Sequence, residues 1–232
     1  MSDALIRDLR ALDKIHSRET IKAAVFFVGH GQRDESQILS NTVADTSERY
    51  RQFIRSLGWY VDLATFDGFT AKMESDGSDG KVCLYFANEH IEFVFHEASL
   101  MPFDPKDPRQ TNKKRHIGND HVHIIWNESK RRYRPETISG DFGNVQIRIR
   151  PLSDGLYGVG IYHDSHIDDV GPLTGGMVVS ADVLPYAVRA TAIKGYRIAK
   201  EAFFGSFAHP YIVRQNRINE IIEKHRNDSE LW

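Results

Sequence analysis

Lys113-Lys114-Arg115-His116-Ile117-Gly118-Asn119-Asp120 sets three cations, a histidine, a glycine, a carboxamide and a carboxylate side by side. The apolar run His121-Val122-His123-Ile124-Ile125-Trp126 follows at once. Such crowding suits a surface that meets an anion. A carboxamide accepts a hydrogen bond through its oxygen and donates through its nitrogen, so Asn119 at a fixed turn is built to position polar atoms rather than to pack. His121 and His123, two apart, share one face of a strand and offer two imidazoles to a metal; with an aspartate they would make a metal-dependent phosphohydrolase. A strand with one polar face explains that pair more simply, and Arg148 and Arg150 read the same way. The sequence has no Gly-x-x-x-x-Gly-Lys-Ser/Thr run and no Gly-x-Ser-x-Gly run, so neither a phosphate loop of its own nor an esterase elbow is expected.

The elements that must hold this turn follow from periodicity. Thr111 is placed to cap a short helix over 112–117, with Gly118 ending it in a left-handed conformation. Three prolines, Pro102, Pro105 and Pro108, make the preceding segment a stiff loop. Strands are expected over 21–28, 60–64, 81–87 and 91–98, and after the turn over 121–126. Their close spacing implies that part of the sheet is antiparallel. Val145, Ile147 and Ile149 alternate with Gln146, Arg148 and Arg150, giving a strand with one wet face. Tyr157, Val159 and Ile161 make the second arm of a hairpin with it. Asp45 and Glu48 form a capping-box pair before Tyr50, Phe53, Ile54 and Leu57. Leu184, Ala187, Val188, Ala192, Tyr196, Ala199 and Phe203 trace one face of a long helix, with Arg189, Arg197 and Lys200 off that face. Leu5, Leu9 and Leu12 mark a short N-terminal helix that docks on the body, and 211–225 a last helix with Ile218, Ile221 and Ile222 apolar.

Composition narrows the function classes. The chain has 232 residues, enough to bury a full core without crosslinks, and Cys83 is its one cysteine. A reducing, cytoplasmic setting is expected. Net charge is −2 with 27% charged residues, which argues against a general nucleic-acid partner. No apolar run approaches a membrane span, and Met1-Ser2-Asp3-Ala4-Leu5 lacks the basic start of a secretory leader. Direct membrane insertion is not expected, and recruitment to membranes would run through partners.

Lys113 through Asp120, preceded by Phe95-His96-Glu97-Ala98-Ser99-Leu100-Met101-Pro102, resembles the signature of the Rap/Ran-GAP domain family. The resemblance extends to its tuberin and Ral-GAP α-subunit branch. Val28-Gly29-His30-Gly31-Gln32, Ile38-Leu39-Ser40-Asn41, Leu57-Gly58-Trp59, Phe142-Gly143, Gly171-Pro172-Leu173 and Leu184-Pro185-Tyr186-Ala187-Val188-Arg189-Ala190 follow in order. Glu97 departs from it, standing where the family places an apolar residue.

The resemblance implies an α/β domain over 21–205 with a mixed, partly antiparallel sheet flanked by helices, between an N-terminal arm over 1–20 and a C-terminal helix over 206–232. It implies a GTPase-activating domain that acts in trans on a Ras-superfamily GTPase of Rheb, Ral or Rap type. The partner would hold GTP and Mg²⁺, so no cofactor and no hydrolase activity of the chain's own is expected. The family inserts an asparagine thumb, which the match assigns to Asn119, to hold the attacking water in line with the γ-phosphate. An acceleration on the order of 10⁵ requires roughly 7 kcal/mol, more than one neutral hydrogen bond supplies, so water exclusion and orientation must add the rest. His116 supports the thumb helix or touches the GTPase. Lys113, Lys114, Arg115 and Asp120 are the expected GTPase-binding residues, with the cations facing acidic switch regions and Asp120 making a structural hydrogen bond beside the thumb. A catalytically silent GTPase-binding or dimerisation module is the alternative, and a homodimer or a subunit of a larger GAP complex fits either reading.

Overall fold

The most apolar runs of the chain become the centre of its sheet. β1 (Glu19–Val28) lies between β4 (Ile91–Glu97) and β5 (Val122–Asn127), parallel to both, with Ala24 opposite His96 on one side and His123 on the other. Strands covered on both faces carry hydrophobic runs rather than strict alternation, as Ala23 to Val28 of β1 and Ile124 to Trp126 of β5 do. The computed structural model describes residues 2–167, 169–205 and 208–226. It adds β2 (Trp59–Asp62), β3 (Val82–Ala87), β6 (Val145–Pro151), β7 (Leu156–His163) and β8 (Val178–Ser180) in the order β2-β3-β4-β1-β5-β6-β7-β8. β5 and β6 are also parallel, while β2/β3, β3/β4, β6/β7 and β7/β8 are antiparallel. The sheet is therefore mixed, as expected, with parallel pairs in the middle and antiparallel ones outside.

One sheet face is covered by α3 (Glu48–Leu57) and α5 (Leu184–Phe204), which bury Tyr50, Phe53, Ile54 and Leu57 and Val188, Ala192 and Ala199 against Phe93, Ile124 and Ile147. Each large apolar side chain so removed from water contributes about 1.5–3 kcal/mol. The other face is covered by α2 (Glu35–Leu39) and α4 (Thr111–Ile117), whose Ile38, Leu39 and Ile117 pack on Ala24, Phe26 and Ile125. α1 (Asp3–Asp13) lies along α6 (Pro210–His225), and Asp8 of α1 takes ion pairs from Arg217, Lys224 and His225.

Several local expectations give way to tertiary context. Asp45 does not cap α3. It belongs to a preceding 3₁₀ turn, where its carboxylate accepts from the Thr42 N–H at 2.8 Å, and Ser47 caps α3 through Tyr50 N–H at 3.2 Å. Gln146 is buried and Arg148 half-buried, leaving Arg150 as the exposed member of the supposed wet face. Arg189, placed off the apolar face, is buried as well: its Nη1 donates to the carbonyls of Ser56 and Leu57, the last residues of α3, at 2.9 and 3.1 Å. A cation there satisfies carbonyls that have no partner within the helix. Phe203 is exposed rather than core-facing, and on α6 Ile221 is buried while Ile218 and Ile222 face outward. Residues 206, 207 and 227–232 of the expected C-terminal segment lie outside the described residues. Glu97 is buried, and its carboxylate accepts from the Tyr50 hydroxyl, the Ser99 hydroxyl and the Leu100 N–H. Burial pushes its pKa up against those hydrogen bonds.

Candidate functional site

α4 is short, and its neighbours fix its ends. Thr111 is its first residue rather than its cap; Gln110 precedes it with a left-handed φ of 48°, and the Asp107 carboxylate accepts from the Thr111 N–H at 2.6 Å. Gly118 is right-handed, not left-handed, with φ −68°. A Cβ on Gly118 would stand 3.0 Å from the Lys114 carbonyl oxygen, and the facing Gly140 is closer still, where a Cβ would stand 2.8 Å from the Gly118 carbonyl oxygen. The chain then tightens, Asn119 N–H donating to His116 O at 3.1 Å and Asp120 N–H to Ile117 O at 3.3 Å.

The three cations do not form one free patch. Lys113 is buried, and its ammonium donates to Asn41 O at 2.9 Å; burial pushes its pKa down to about 8. Lys114 pairs with Glu35 at 2.7 Å and donates to the Ser139 hydroxyl at 2.6 Å. Arg115 pairs with Asp79 at 2.7 Å. The expectation that Lys113 faces a partner is thereby corrected, because α4 must bury one side to pack on the sheet and Lys113 stands on that side. Asp120, expected to make a structural hydrogen bond beside the thumb, is fully buried, 2.9 Å from Lys22 Nζ and 2.7 Å from His96 Nδ1. Burial alone would raise its pKa, but His96 and Lys22 hold it below the ordinary value. His116 is buried with Nε2 3.0 Å from Asp79 Oδ2. Burial and the nearby His96 ring depress its pKa.

Within the polar turn Arg115 and Asn119 are the exposed residues, and the backbone of Asn119 is clamped. Lys22 Nζ donates to its carbonyl at 2.9 Å, and its own Nδ2 donates to Arg115 O at 2.6 Å, the geometry at the end of one helical turn. That hydrogen bond fixes the amide so that Oδ1 and the second N–H remain for an outside ligand. An open groove of ≈ 620 Å³ runs beside it, lined by Lys22, Lys72, Arg115 and Lys200 with aromatic Phe142, Tyr196 and Phe204. Glu74 is the carboxylate in the lining, so the groove favours an anion. His121 and His123 do not converge. His121 Nδ1 lies 2.8 Å from Asn144 Oδ1 beside Phe142, whereas His123 Nε2 lies 3.0 Å from Ile117 O, with Gly143 (φ 88°) leaving room for its ring.

Lys22, Asp79, Glu35 and the Phe142 and Phe204 rim were not reached as site residues by sequence reasoning. Lys22 carried a readable signal, being a lone cation between Ile21 and Ala23 in a strand covered on both faces. Such a charge must find a partner. The others are joined to α4 only by the fold.

Comparison with known proteins finds relatives of the whole domain. The family model described as Rap/ran-GAP matches residues 38–220. The human Ral GTPase-activating protein subunit alpha-1 is 38% identical over 97% of this chain and 11% of its own length. The tuberous sclerosis 2 protein homolog of Schizosaccharomyces pombe is 31% identical over 96% of this chain and 17% of its own length. The chain thus spans between a tenth and a fifth of the curated relatives it matches. The solved TSC2 GAP domain superposes with a TM-score of 0.72 at 29% identity, covering 78% of this chain and 97% of that one.

Proposed function

Since the chain belongs to the Rap/Ran-GAP family, we propose that it stimulates GTP hydrolysis by a Ras-superfamily small GTPase, of Ral, Rheb or Rap type. The observation that carries this reading is the outward carboxamide of Asn119 on a backbone clamped by Lys22 at 2.9 Å and oriented by the Arg115 carbonyl at 2.6 Å. A group so preorganised loses little freedom when it meets a reacting water. The Asn119 oxygen accepts from that water while the free N–H donates to a phosphoryl oxygen. GTP and Mg²⁺ are the substrate and metal of the partner, and no step uses an acid or base of this chain. The loose transition state of phosphoryl transfer needs positioning and charge stabilisation more than base strength.

In the same proposal the groove receives the GTPase surface. Lys72 and Lys200 offer positive charge for acidic switch regions, and Phe142 and Phe204 an apolar rim that excludes water. Lys114 and Arg115 contribute only what Glu35 and Asp79 leave free, whereas Lys113, His116 and Asp120 support the helix from beneath. The setting is cytoplasmic, with the domain acting inside a larger GAP assembly. Purified Ral, Rheb and Rap, each loaded with GTP, are the test: one of them is expected to hydrolyse GTP much faster with the chain present. Binding to a GTPase with no acceleration of any of the three would sink the proposal in favour of a silent module.

A further inference from the structure

At the carboxyl ends of β1 and β5, beside Val28 and Asn127, an open cleft of ≈ 900 Å³ is ringed by Arg33, Arg131, Arg132, Arg134 and Arg148. It shares no lining residue with the groove beside Asn119. Glu136 is the one carboxylate in its wall. Among the described residues none of the five guanidiniums forms an ion pair. The chain's net charge is −2, so this unpaired excess is local rather than a reflection of general basicity.

Four exposed arginines alone would be solvated surface. Arg148 is different. It projects from β6 half-buried, with the Tyr133 and Tyr162 ring centroids 5.8 and 5.3 Å from its guanidinium carbon. Its Nη2 donates to Gln146 Oε1 at 2.9 Å, but its Nε is buried with no hydrogen-bond partner. Burial holds its pKa below the ordinary value, with Arg132 adding repulsion. A buried donor of a charged group left unanswered costs stability, and the fold keeps this one on a strand in the wall of the cleft.

We propose that this cleft binds a small ligand carrying more than one phosphate monoester group. The guanidinium fork matches phosphate oxygens in pairs, and each monoester brings a charge of about −1.5 to −2, so two or three of them balance five arginines. The volume suits a small ligand better than an extended acidic chain. Inositol polyphosphates have this chemistry, either free or as a lipid headgroup, and the proposal stands independently of GTPase activation.

Calorimetry of the whole chain with inositol 1,4,5-trisphosphate tests it. One site is expected. Arg148→Gln should weaken binding by about tenfold or more, the effect of losing one charge-assisted contact. The exposed double substitution Arg132→Glu with Arg134→Glu, whose melting should match wild type, should do the same. Arg150→Gln, on the same strand outside the cleft, should leave affinity unchanged. Phosphatidylcholine vesicles with and without phosphatidylinositol 4,5-bisphosphate identify the source. Retention released by the free trisphosphate supports a lipid headgroup, and trisphosphate binding without retention supports a soluble ligand. No heat with millimolar trisphosphate, equal weakening by Arg150→Gln, or equally tight binding of polyglutamate would each overturn the proposal.

Discussion

A carboxamide at the end of a helical turn has an ordinary explanation, and Asn119 partly satisfies it by donating to Arg115 O at 2.6 Å. If that were its whole role, Asn119→Ala would cost about 1 kcal/mol of stability and leave GTPase stimulation nearly intact. As the positioning group, its loss should spare the fold and lower stimulated hydrolysis by about 10³-fold or more, with binding changed much less. Asn119→Asp sharpens the comparison by turning the free donor into an anion opposite the γ-phosphate, and it is expected to be inactive too. Single-turnover hydrolysis at saturating activator decides between the two, since near-normal rates in either variant exclude the thumb. At this scale the sequence was informative about residue type and poor about direction. Lys113, Lys114 and Arg115 look equivalent in a string, yet one is buried on Asn41 and the other two answer Glu35 and Asp79. A seven-residue helix packed on a sheet makes neighbouring side chains point to different surroundings.

α4 has too few residues to hold itself, and isolated helices of this length are unstable in water. Its tether to the sheet is Lys22, which joins the Asn119 carbonyl and the Asp120 carboxylate, both at 2.9 Å. Lys22→Met would leave the buried Asp120 with His96 alone. Losing one partner of a buried pair costs about 3 kcal/mol, the low end of the usual range because the Lys22 side chain is 28% exposed. Stimulation should fall in the variant even below its melting temperature, and hydrogen exchange should show faster opening over 111–120; unchanged protection there would show that α4 is held by packing alone. α5 is the contrasting case. Val188 is fully buried against the sheet, so Val188→Asp should lower stability by several kcal/mol and reduce activity only through unfolding. A folded but inactive Val188→Asp would extend the partner interface along α5 beyond its end at Lys200 and Phe204. α5 was legible because its apolar spacing repeats over many turns, whereas the caps of α3 and α4 were not. Ser47, Asp107 and Gln110 act there through local loop geometry that periodicity does not record.

Across the whole molecule, composition and pattern gave the mixed sheet, but not the order that puts β1 beside both β4 and β5 and so carries Lys22 to a residue 97 positions away. The same kind of long-range closure ties the ends of the described chain. α1 meets α6 through Asp8, whose carboxylate faces Arg217, Lys224 and His225, and Arg214 donates to the carbonyls of Leu12 and Ile15 at 2.6 and 2.9 Å. Hydrogen bonds from His225 and Lys224 lower the Asp8 pKa to about 2 from an ordinary 3.8. A carboxyl group whose pKa is depressed by folding stabilises the fold fully above its unfolded value and loses that contribution as pH falls through the folded one. The α1–α6 contact should therefore hold from neutrality to about pH 4 and weaken between about pH 4 and pH 2. Because other carboxylates of the chain titrate in the same window, the informative quantity is the difference between wild type and Asp8→Asn. Wild type should melt higher at pH 6, and the gap should close towards pH 2. Amide exchange over 3–13 and 210–225 should rise in parallel with that closing gap, ahead of exchange in β1 and β5. A gap independent of pH would mean that the two helices are joined by apolar contact, with Asp8 a bystander.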